Sequence, residues 1–126
     1  MKKQKRIYLA CPYTHKNAEV MEYRAKIATA MASFYMRVHG HIVFSPITYG
    51  HEVCKYGVCS DFGWWEDMDL SIIKTWATEV HCINLEGYED SVGMKAEIAF
   101  AKENKIPVIE IDDDVVAMIV KRVCRG

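Results

Sequence analysis

Two polar residues six positions apart, Ser91 and Glu97, are the clearest chemical signal in this chain. They lie in residues 90–97, after the apolar run of residues 80–85, where a strand is expected to end and a helix to begin. A helix N-terminus offers free backbone N–H groups and positive dipole, so Ser91 and Gly93 are candidates for binding an anion such as phosphate. Glu97 would then bring a carboxylate close to that anion.

The same residues also have structural interpretations. Ser91 is a favourable N-cap, and a capped terminus can still bind an anion. The alternative for Glu97 is a surface position on the helix, paired with Lys95 or Lys102. If Glu97 acts in catalysis it must be ionised at neutral pH, and nearby backbone N–H groups are expected to favour that state.

The composition predicts one ordinary globular domain, residues 1–126, in the cytoplasm. The chain is 51% hydrophobic and 26% charged, with a formal net charge of −1. The only basic run is residues 2–6, so electrostatics do not favour a nucleic-acid polymer as partner. No apolar run approaches the ~20 residues of a membrane span, and none resembles a signal peptide. A membrane partner is therefore not expected.

Cysteine spacing favours reduced thiols over metal binding. The 5 cysteines include no C-x-x-C pair. His51, Cys54 and Cys59 suggest zinc, but a fourth ligand is missing and the spacing matches no common zinc pattern. Cys11 lies at a strand end, where a thiol pKa can fall, yet no base accompanies it, so a small loop residue is the preferred interpretation. No metal or organic cofactor is expected.

Strand and helix patterns alternate along the chain, which predicts a three-layer α/β/α domain with four or five mainly parallel strands, flavodoxin- or Rossmann-like. Strands are expected at residues 6–10, 41–44, 79–85 and 107–111. Helices are expected at residues 17–38, 62–75, 91–104 and 112–122, with a brief turn near 50–55. Ligands of such sheets lie beyond the carboxyl ends of the strands, where strand order reverses. This rule brings together the loops at residues 11–16, 45–63 and 86–91.

Four segments in these loops and beside them form an ordered set of motifs. They are Tyr8-Leu9-Ala10-Cys11-Pro12-Tyr13, then Phe44-Ser45-Pro46-Ile47 with His51, then Trp65 with Asp69 and Leu70, and finally Gly87-Tyr88 with Ser91, Gly93, Glu97, Lys105, Pro107 and Val108. In order and spacing, over residues 7 to about 111, they resemble the nucleoside 2-deoxyribosyltransferase-like superfamily. Within it, the chain is most similar to the small phage and bacterial proteins grouped as DUF1937.

The resemblance implies chemistry at an N-glycosidic bond. The superfamily contains deoxyribosyltransferases and 2′-deoxynucleoside 5′-phosphate N-hydrolases, and a glutamate at the position of Glu97 attacks or stabilises C1′ of the sugar. Hydrolases of 5′-phosphates have a serine at the position of Ser91, where transferases have an aspartate that bonds the 5′-hydroxyl. The resemblance therefore favours a monophosphate, whereas a shift of one residue would give Asp90 the transferase role.

Asp69 is the second candidate catalytic residue. The resemblance places it near the base and sugar, where it helps to protonate the leaving base. The residues themselves leave a choice, because Glu66 and Asp67 are neighbouring acids. Asp69 shares a partly apolar helix face with Trp65, and burial there would raise its pKa, as suits a proton donor. A solvated helix residue is the alternative.

The remaining candidate substrate-binding residues are Pro12, Tyr13, Ser45 and His51. Tyr13 would border the base or stack on it, and His51 would reach the phosphate or the base. Ordinary loop packing is the alternative for each. Two departures from the superfamily are visible: Cys11 stands where glycine is usual, and no residue of 112–126 can be matched to the one that a neighbouring subunit donates in several relatives.

The resemblance therefore implies hydrolysis of the N-glycosidic bond of a 2′-deoxynucleoside 5′-monophosphate, and by analogy a homodimer or larger homo-oligomer. Such cleavage passes through an oxocarbenium-like sugar and needs a carboxylate beneath C1′ and an acid for the base. A deoxyribosyltransferase is the first alternative, and a nucleotide-binding sensor without catalysis is the second. Trp64, Trp65 and Trp76 are expected in the core or at a subunit interface.

Overall fold

Four parallel strands form a single sheet in the computed structural model, which describes residues 4–58 and 61–125. The strands are β1 (Arg6–Ala10), β2 (Ile42–Phe44), β3 (Glu79–Cys82) and β4 (Val108–Glu110). The helices are α1 (Ala18–Phe34), α2 (Pro46–Cys54), α3 (Phe62–Thr75), α4 (Val92–Glu103) and α5 (Asp113–Arg125). The predicted three-layer α/β/α fold is confirmed, with four strands within the described residues.

Side-chain alternation along β1 builds the two halves of the core. Ile7 and Leu9 point to the layer formed by α1 and α5, whereas Tyr8 and Ala10 point to the layer of α3 and α4. All four residues are completely buried, which is typical of a central parallel strand covered on both faces. Tyr8 is the exceptional member, because its hydroxyl group enters the α3–α4 side of the core and requires a polar partner there.

Strand order places the carboxyl ends of β1 and β3 side by side. The sheet runs β2-β1-β3-β4, so the chain moves outward in one direction after β1 and in the other after β3. Ala10 is in register with Cys82, and the N–H of Ile83 donates to the Ala10 carbonyl at 2.8 Å. The loops that follow these two strands therefore diverge from one point and open a crevice, as expected at a topological switch point.

Several element boundaries differ from the predicted ones. The expected turn near residues 50–55 is instead the nine-residue helix α2, because Ser45 caps it by accepting from the N–H of Thr48, and Pro46 suits its first turn. The helix expected over residues 17–38 ends as a π-helical turn, Tyr35–His39. Gly40 then stops it at φ 67°, as predicted.

Two element boundaries in the second half of the chain also differ from the predicted ones. The third strand stops at Cys82, since its neighbours end at Ala10 and Glu110 and leave no ladder to continue. The last helix extends to Arg125.

Within the described residues, no helix combines the length and apolar character needed to cross a bilayer.

Arg24 of α1 ties together the two loops that border the crevice. Its buried guanidinium donates to the carbonyls of Tyr13 and Thr14, each at 3.3 Å, and to the carbonyl of Glu86 at 3.1 Å. Gly87 permits this arrangement: its φ is +90°, and a Cβ there would lie 2.7 Å from Arg24 Nη2. The clamp fixes the first loop against the loop leading to α4.

We expect Arg24→Ala to lower the free energy of unfolding by about 2–4 kcal/mol, because it leaves three loop carbonyls without their charged donor. Lys26→Ala, two positions along the same helix and exposed, is the matched control and should change stability little. Urea denaturation of both variants measures the difference. Equal stabilities would show that Arg24 does not hold the loops.

Candidate active site

A cavity of about 250 Å³ opens at the carboxyl edge of the sheet, next to the switch point. Its wall includes seven of the nine residues predicted from the sequence as catalytic or substrate-binding: Tyr13, His51, Asp69, Asp90, Ser91, Gly93 and Glu97. The first loop, α2, α3 and the start of α4 each contribute to it. Residues distant in the chain thus meet around one space.

Two buried carboxyl groups, those of Glu97 and Asp69, belong to this wall. Glu97 is only 4% exposed and accepts a hydrogen bond from the hydroxyl of Tyr8. Asp69 is 5% exposed, and its Oδ1 has no hydrogen-bond partner within the described part of the chain. An unpartnered buried carboxyl oxygen is costly and needs an explanation, which a bound ligand would provide.

Burial distinguishes Asp69 from the neighbouring acids. Glu66 and Asp67 are exposed on the outer side of α3, whereas Asp69 faces inward beside Leu70 and Ile73 of the core layer. Of these three acids, Asp69 alone lines the cavity. Tyr8, the partner of Glu97, was quoted in the sequence motif but not recognised as a site residue. A polar group within an apolar β1 was the available signal.

Both carboxyl groups have raised pKa values. Burial raises the pKa of Glu97 to about 8, with a further increase from the charge of Asp69 and a decrease from the Tyr8 hydrogen bond. Burial raises the pKa of Asp69 to about 6, and the Tyr8 hydroxyl opposes this shift. The raised pKa of Asp69 agrees with prediction. The expectation that backbone N–H groups keep Glu97 ionised is wrong, because desolvation dominates its environment.

The first turn of α4 forms the opposite part of the cavity. Ser91 is the N-cap, and its Oγ accepts from the N–H of Met94 at 3.2 Å, which leaves its own O–H available as a donor. The N–H groups of Val92 and Gly93 lie in the first turn, where no helical carbonyl precedes them. Gly93 is required by packing, because a Cβ there would approach Phe62 Cδ1 to 2.9 Å.

Tyr13 and His51 lie on the wall formed by the first loop and α2. The Tyr13 hydroxyl is 2.8 Å from His51 Nδ1, and His51 Nε2 is 3.2 Å from a carboxylate oxygen of Glu22 on α1. Burial raises the pKa of Tyr13 to about 12. Glu22 was missed by sequence reasoning, since nothing in its local pattern indicates a contact with residue 51.

Two predicted substrate-binding residues, Pro12 and Ser45, do not line the cavity. Pro12 is buried in the first loop behind it. Ser45 Oγ is used within α2, where it accepts from the N–H and the hydroxyl of Thr48. Capping the unexpected helix α2 explains the role of Ser45.

Cys11, His51 and Cys54 do line the cavity. Burial raises the pKa of the Cys11 thiol far above its usual range, which opposes a nucleophilic role. Within residues 4–58 and 61–125, no cluster of three or more potential ligands could hold a metal. Cys59, the third residue of the suggested zinc set, lies outside the described residues.

Aromatic residues of α3 occupy two different environments. Trp65 lines the cavity and packs edge-on against Tyr49 of α2, at 6.1 Å between ring centres. Its position by the cavity differs from the core or interface location expected for the tryptophans. Trp64 is 63% exposed, which leaves a large apolar surface next to the site.

These features define a class: parallel α/β/α domains whose switch-point cavity combines two buried carboxyl groups with a helix N-terminus. The chain belongs to the DUF1937 family, described as a domain of unknown function, and the match covers residues 5–113. That range contains every cavity residue discussed above. Comparison with curated proteins gives no match.

The pH dependence of stability tests the burial of Glu97. Its pKa rises from an ordinary 4.5 to about 8 on folding, so its stabilising contribution is complete below about pH 4.5 and is lost as pH rises through about 8. Glu97→Gln has no carboxyl group to ionise at position 97. The free energy of unfolding of this variant, relative to that of the unmodified protein, should therefore increase as pH rises from 5 to 8. Denaturation at several pH values measures this. Glu103→Gln, exposed on the same helix, should keep the original pH dependence.

Proposed function

We propose that this protein cleaves the N-glycosidic bond of a 2′-deoxynucleoside 5′-monophosphate and releases the free base and the sugar phosphate. The observation that carries the proposal is the presence of two buried carboxyl groups beside the Tyr8 hydroxyl in one cavity: Glu97 accepts a hydrogen bond from Tyr8, whereas Asp69 Oδ1 has no hydrogen-bond partner among the described residues. The sequence resemblance to the nucleoside 2-deoxyribosyltransferase-like superfamily supports the same chemistry.

The two carboxyl groups have complementary roles in the proposed reaction. Protonated Asp69 gives its proton to the base as the bond between C1′ and the base nitrogen breaks, and the bonding electrons leave with the base. Ionised Glu97 stabilises the cationic C1′ or bonds to it. Water then supplies hydroxide to C1′, and its proton returns to Asp69. No net charge or redox change remains on the protein.

The start of α4 is the proposed phosphate site. The Ser91 hydroxyl and the first-turn N–H groups of Val92 and Gly93 supply donors together with the positive end of the helix dipole. Six residues of helix correspond to a rise of about 9 Å between Ser91 and Glu97, comparable to the length of a sugar phosphate. Gly93 lies one turn from Glu97 on the same face, and its missing side chain admits the ring of Phe62 beside the first turn of α4.

One observation favours the transferase alternative. Asp90 also lines the cavity, beside Ser91, and the described lining residues include no lysine or arginine to neutralise a phosphate. A free 5′-hydroxyl bonded to Asp90 would suit these surroundings. The reaction would then move deoxyribose between bases, with the same roles for Glu97 and Asp69.

The resemblance also supports a homo-oligomer. Val92 lines the cavity and is 74% exposed, and Trp64 lies nearby on α3. Contact with a second copy would bury this apolar surface. Assembly of this kind stays a proposal.

The first experiment measures base release from a panel of nucleoside 5′-monophosphates and free nucleosides, with and without an acceptor base. Release from a monophosphate alone is expected. Glu97→Gln should abolish it, and Asp69→Asn should reduce kcat by about 10²–10⁴-fold. Glu103→Gln is the matched control and should retain full activity.

Other outcomes of that panel decide between the candidates. Product formed only with an acceptor base would favour the transferase. Calorimetric binding without any product would favour a sensor. Full turnover by Glu97→Gln would contradict the proposed mechanism.

The pH profile of kcat/KM provides an independent test. The reaction requires Asp69 protonated and Glu97 ionised, whereas their pKa values of about 6 and about 8 place the proton on Glu97 in most molecules between these pH values. The reactive form is therefore the minor one, in which the proton lies on Asp69. Because the two carboxyl groups interact, we expect a bell-shaped profile whose limbs belong to the pair. Asp69→Asn should leave a single limb that rises with pH as Glu97 ionises. The midpoint of this limb should lie below about pH 8, because the charge of Asp69 no longer raises the pKa of Glu97. A pH-independent rate would exclude these roles.

A further inference from the structure

A hydrogen-bonded chain connects the cavity wall to the surface through Tyr13, His51 and Glu22. The Tyr13 hydroxyl is 2.8 Å from His51 Nδ1, and His51 Nε2 is 3.2 Å from Glu22 Oε2. The His51 side chain is 12% exposed, whereas that of Glu22 is 46% exposed. Neither His51 nor Glu22 has a part in the cleavage mechanism proposed above.

Glu22 determines which nitrogen of a neutral His51 ring carries the proton. A solvent-facing carboxylate can only accept hydrogen bonds, so Nε2 must be the protonated nitrogen. Nδ1 then has a lone pair and must accept from the Tyr13 hydroxyl. The direction of both hydrogen bonds follows from the carboxylate at one end.

This direction makes Tyr13 an acceptor toward the cavity. Its single proton is used on His51, and only the oxygen lone pairs remain for a ligand. Because burial raises the pKa of Tyr13 to about 12, the hydroxyl stays protonated at neutral pH. A ligand group that meets Tyr13 must therefore supply an N–H or O–H donor.

Other side chains that line the cavity are also hydrogen-bond acceptors. Its described lining includes the carboxyl groups of Asp61, Asp69, Asp90 and Glu97, and neither lysine nor arginine. Ile47, Phe62 and Trp65 contribute flat or apolar surface suitable for a planar ring. Apart from the proton of Asp69, a base that enters between these side chains meets acceptors, because the donors of Ser91 and the first turn of α4 lie at the proposed phosphate site.

We propose that Tyr13, oriented through His51 and Glu22, selects bases with an exocyclic amino group over the corresponding oxo bases. Tyr13 is the residue that would touch the base, and His51 and Glu22 are positioning residues. The inference rests on the proposed function, since it concerns the base of the same substrate. Adenine and cytosine types fit this surface, whereas hypoxanthine and uracil types would set oxygen against oxygen.

The chain offers a matched control outside the cavity. Tyr35, His81 and Glu79 form a similar trio, with 2.7 Å between Tyr35 Oη and His81 Nδ1 and 2.7 Å between His81 Nε2 and Glu79 Oε1. No member of that trio lines the cavity. Tyr35→Phe therefore removes a comparable hydroxyl without touching the proposed base site.

The test compares kcat/KM for amino and oxo substrates in each variant. The pairs are the 5′-monophosphates of deoxyadenosine and deoxyinosine, and those of deoxycytidine and deoxyuridine. We expect the unmodified protein to favour the amino member, and Tyr13→Phe to lower this ratio about tenfold, the effect of one lost hydrogen bond. Glu22→Gln should also lower it, because an amide permits the other tautomer and frees the Tyr13 proton. Tyr35→Phe should leave the ratio unchanged.

Comparing the amino-to-oxo ratio of kcat/KM between variants cancels the intrinsic leaving ability of each base, and within one variant the ratio cancels any general loss of folded protein. A ratio unchanged in Tyr13→Phe, or a preference for oxo bases in the unmodified protein, overturns the inference while leaving the cleavage activity established. If no substrate is cleaved, the proposed function fails, and calorimetry with the same four nucleotides still measures the preference. Equal or undetectable binding of all four would then overturn the inference as well.

Discussion

The buried hydrogen bond between Tyr8 and Glu97 is the interaction on which the arrangement of the site depends. It joins the central strand of the sheet to α4 across the α3–α4 side of the core. A carboxyl group in such surroundings is strongly destabilising without a partner, and the hydroxyl of Tyr8, at a buried position of β1, supplies one. The strand's alternation fixes where that hydroxyl points, so the fold itself determines the position of Glu97.

The cavity around this bond follows from the topology. Strand order reverses between β1 and β3, which separates the loops that follow them, and the guanidinium of Arg24 bridges those loops and fixes their relative positions. Packing between α3 and α4 closes the far side, where Gly93 permits Phe62 to approach. The site is thus bordered by rigid elements on most sides, as preorganised chemistry requires.

The fold, and the loops that border the cavity, could be predicted from the sequence because both follow from local patterns of strands and helices. Alternating strands and helices implied the parallel sheet, and the sheet implied which loops meet. Glu97 and Ser91 could be chosen from residue type and spacing, whereas only the family resemblance distinguished Asp69 from Glu66 and Asp67. The role of Ser45 could not, because a cap is used only if α2 forms, and a short segment with glycine and proline gives a weak helix signal. Glu22 and Tyr8 depend on contacts between distant segments, which periodicity does not encode.

Asp69 and Glu97 are similarly buried but differ in their hydrogen bonding, and this difference affects which ligand groups each carboxyl group favours. Glu97 already has a donor in Tyr8, so a ligand gains little by bonding to it until positive charge develops nearby. Asp69 Oδ1 has no donor among the described residues, so a ligand that shares a proton with it would remove a desolvation cost. In the proposed reaction, binding energy would therefore be available at Asp69 when the substrate binds, and at Glu97 mainly in the transition state. That division is the one expected of an enzyme that separates substrate binding from stabilisation of a cationic sugar.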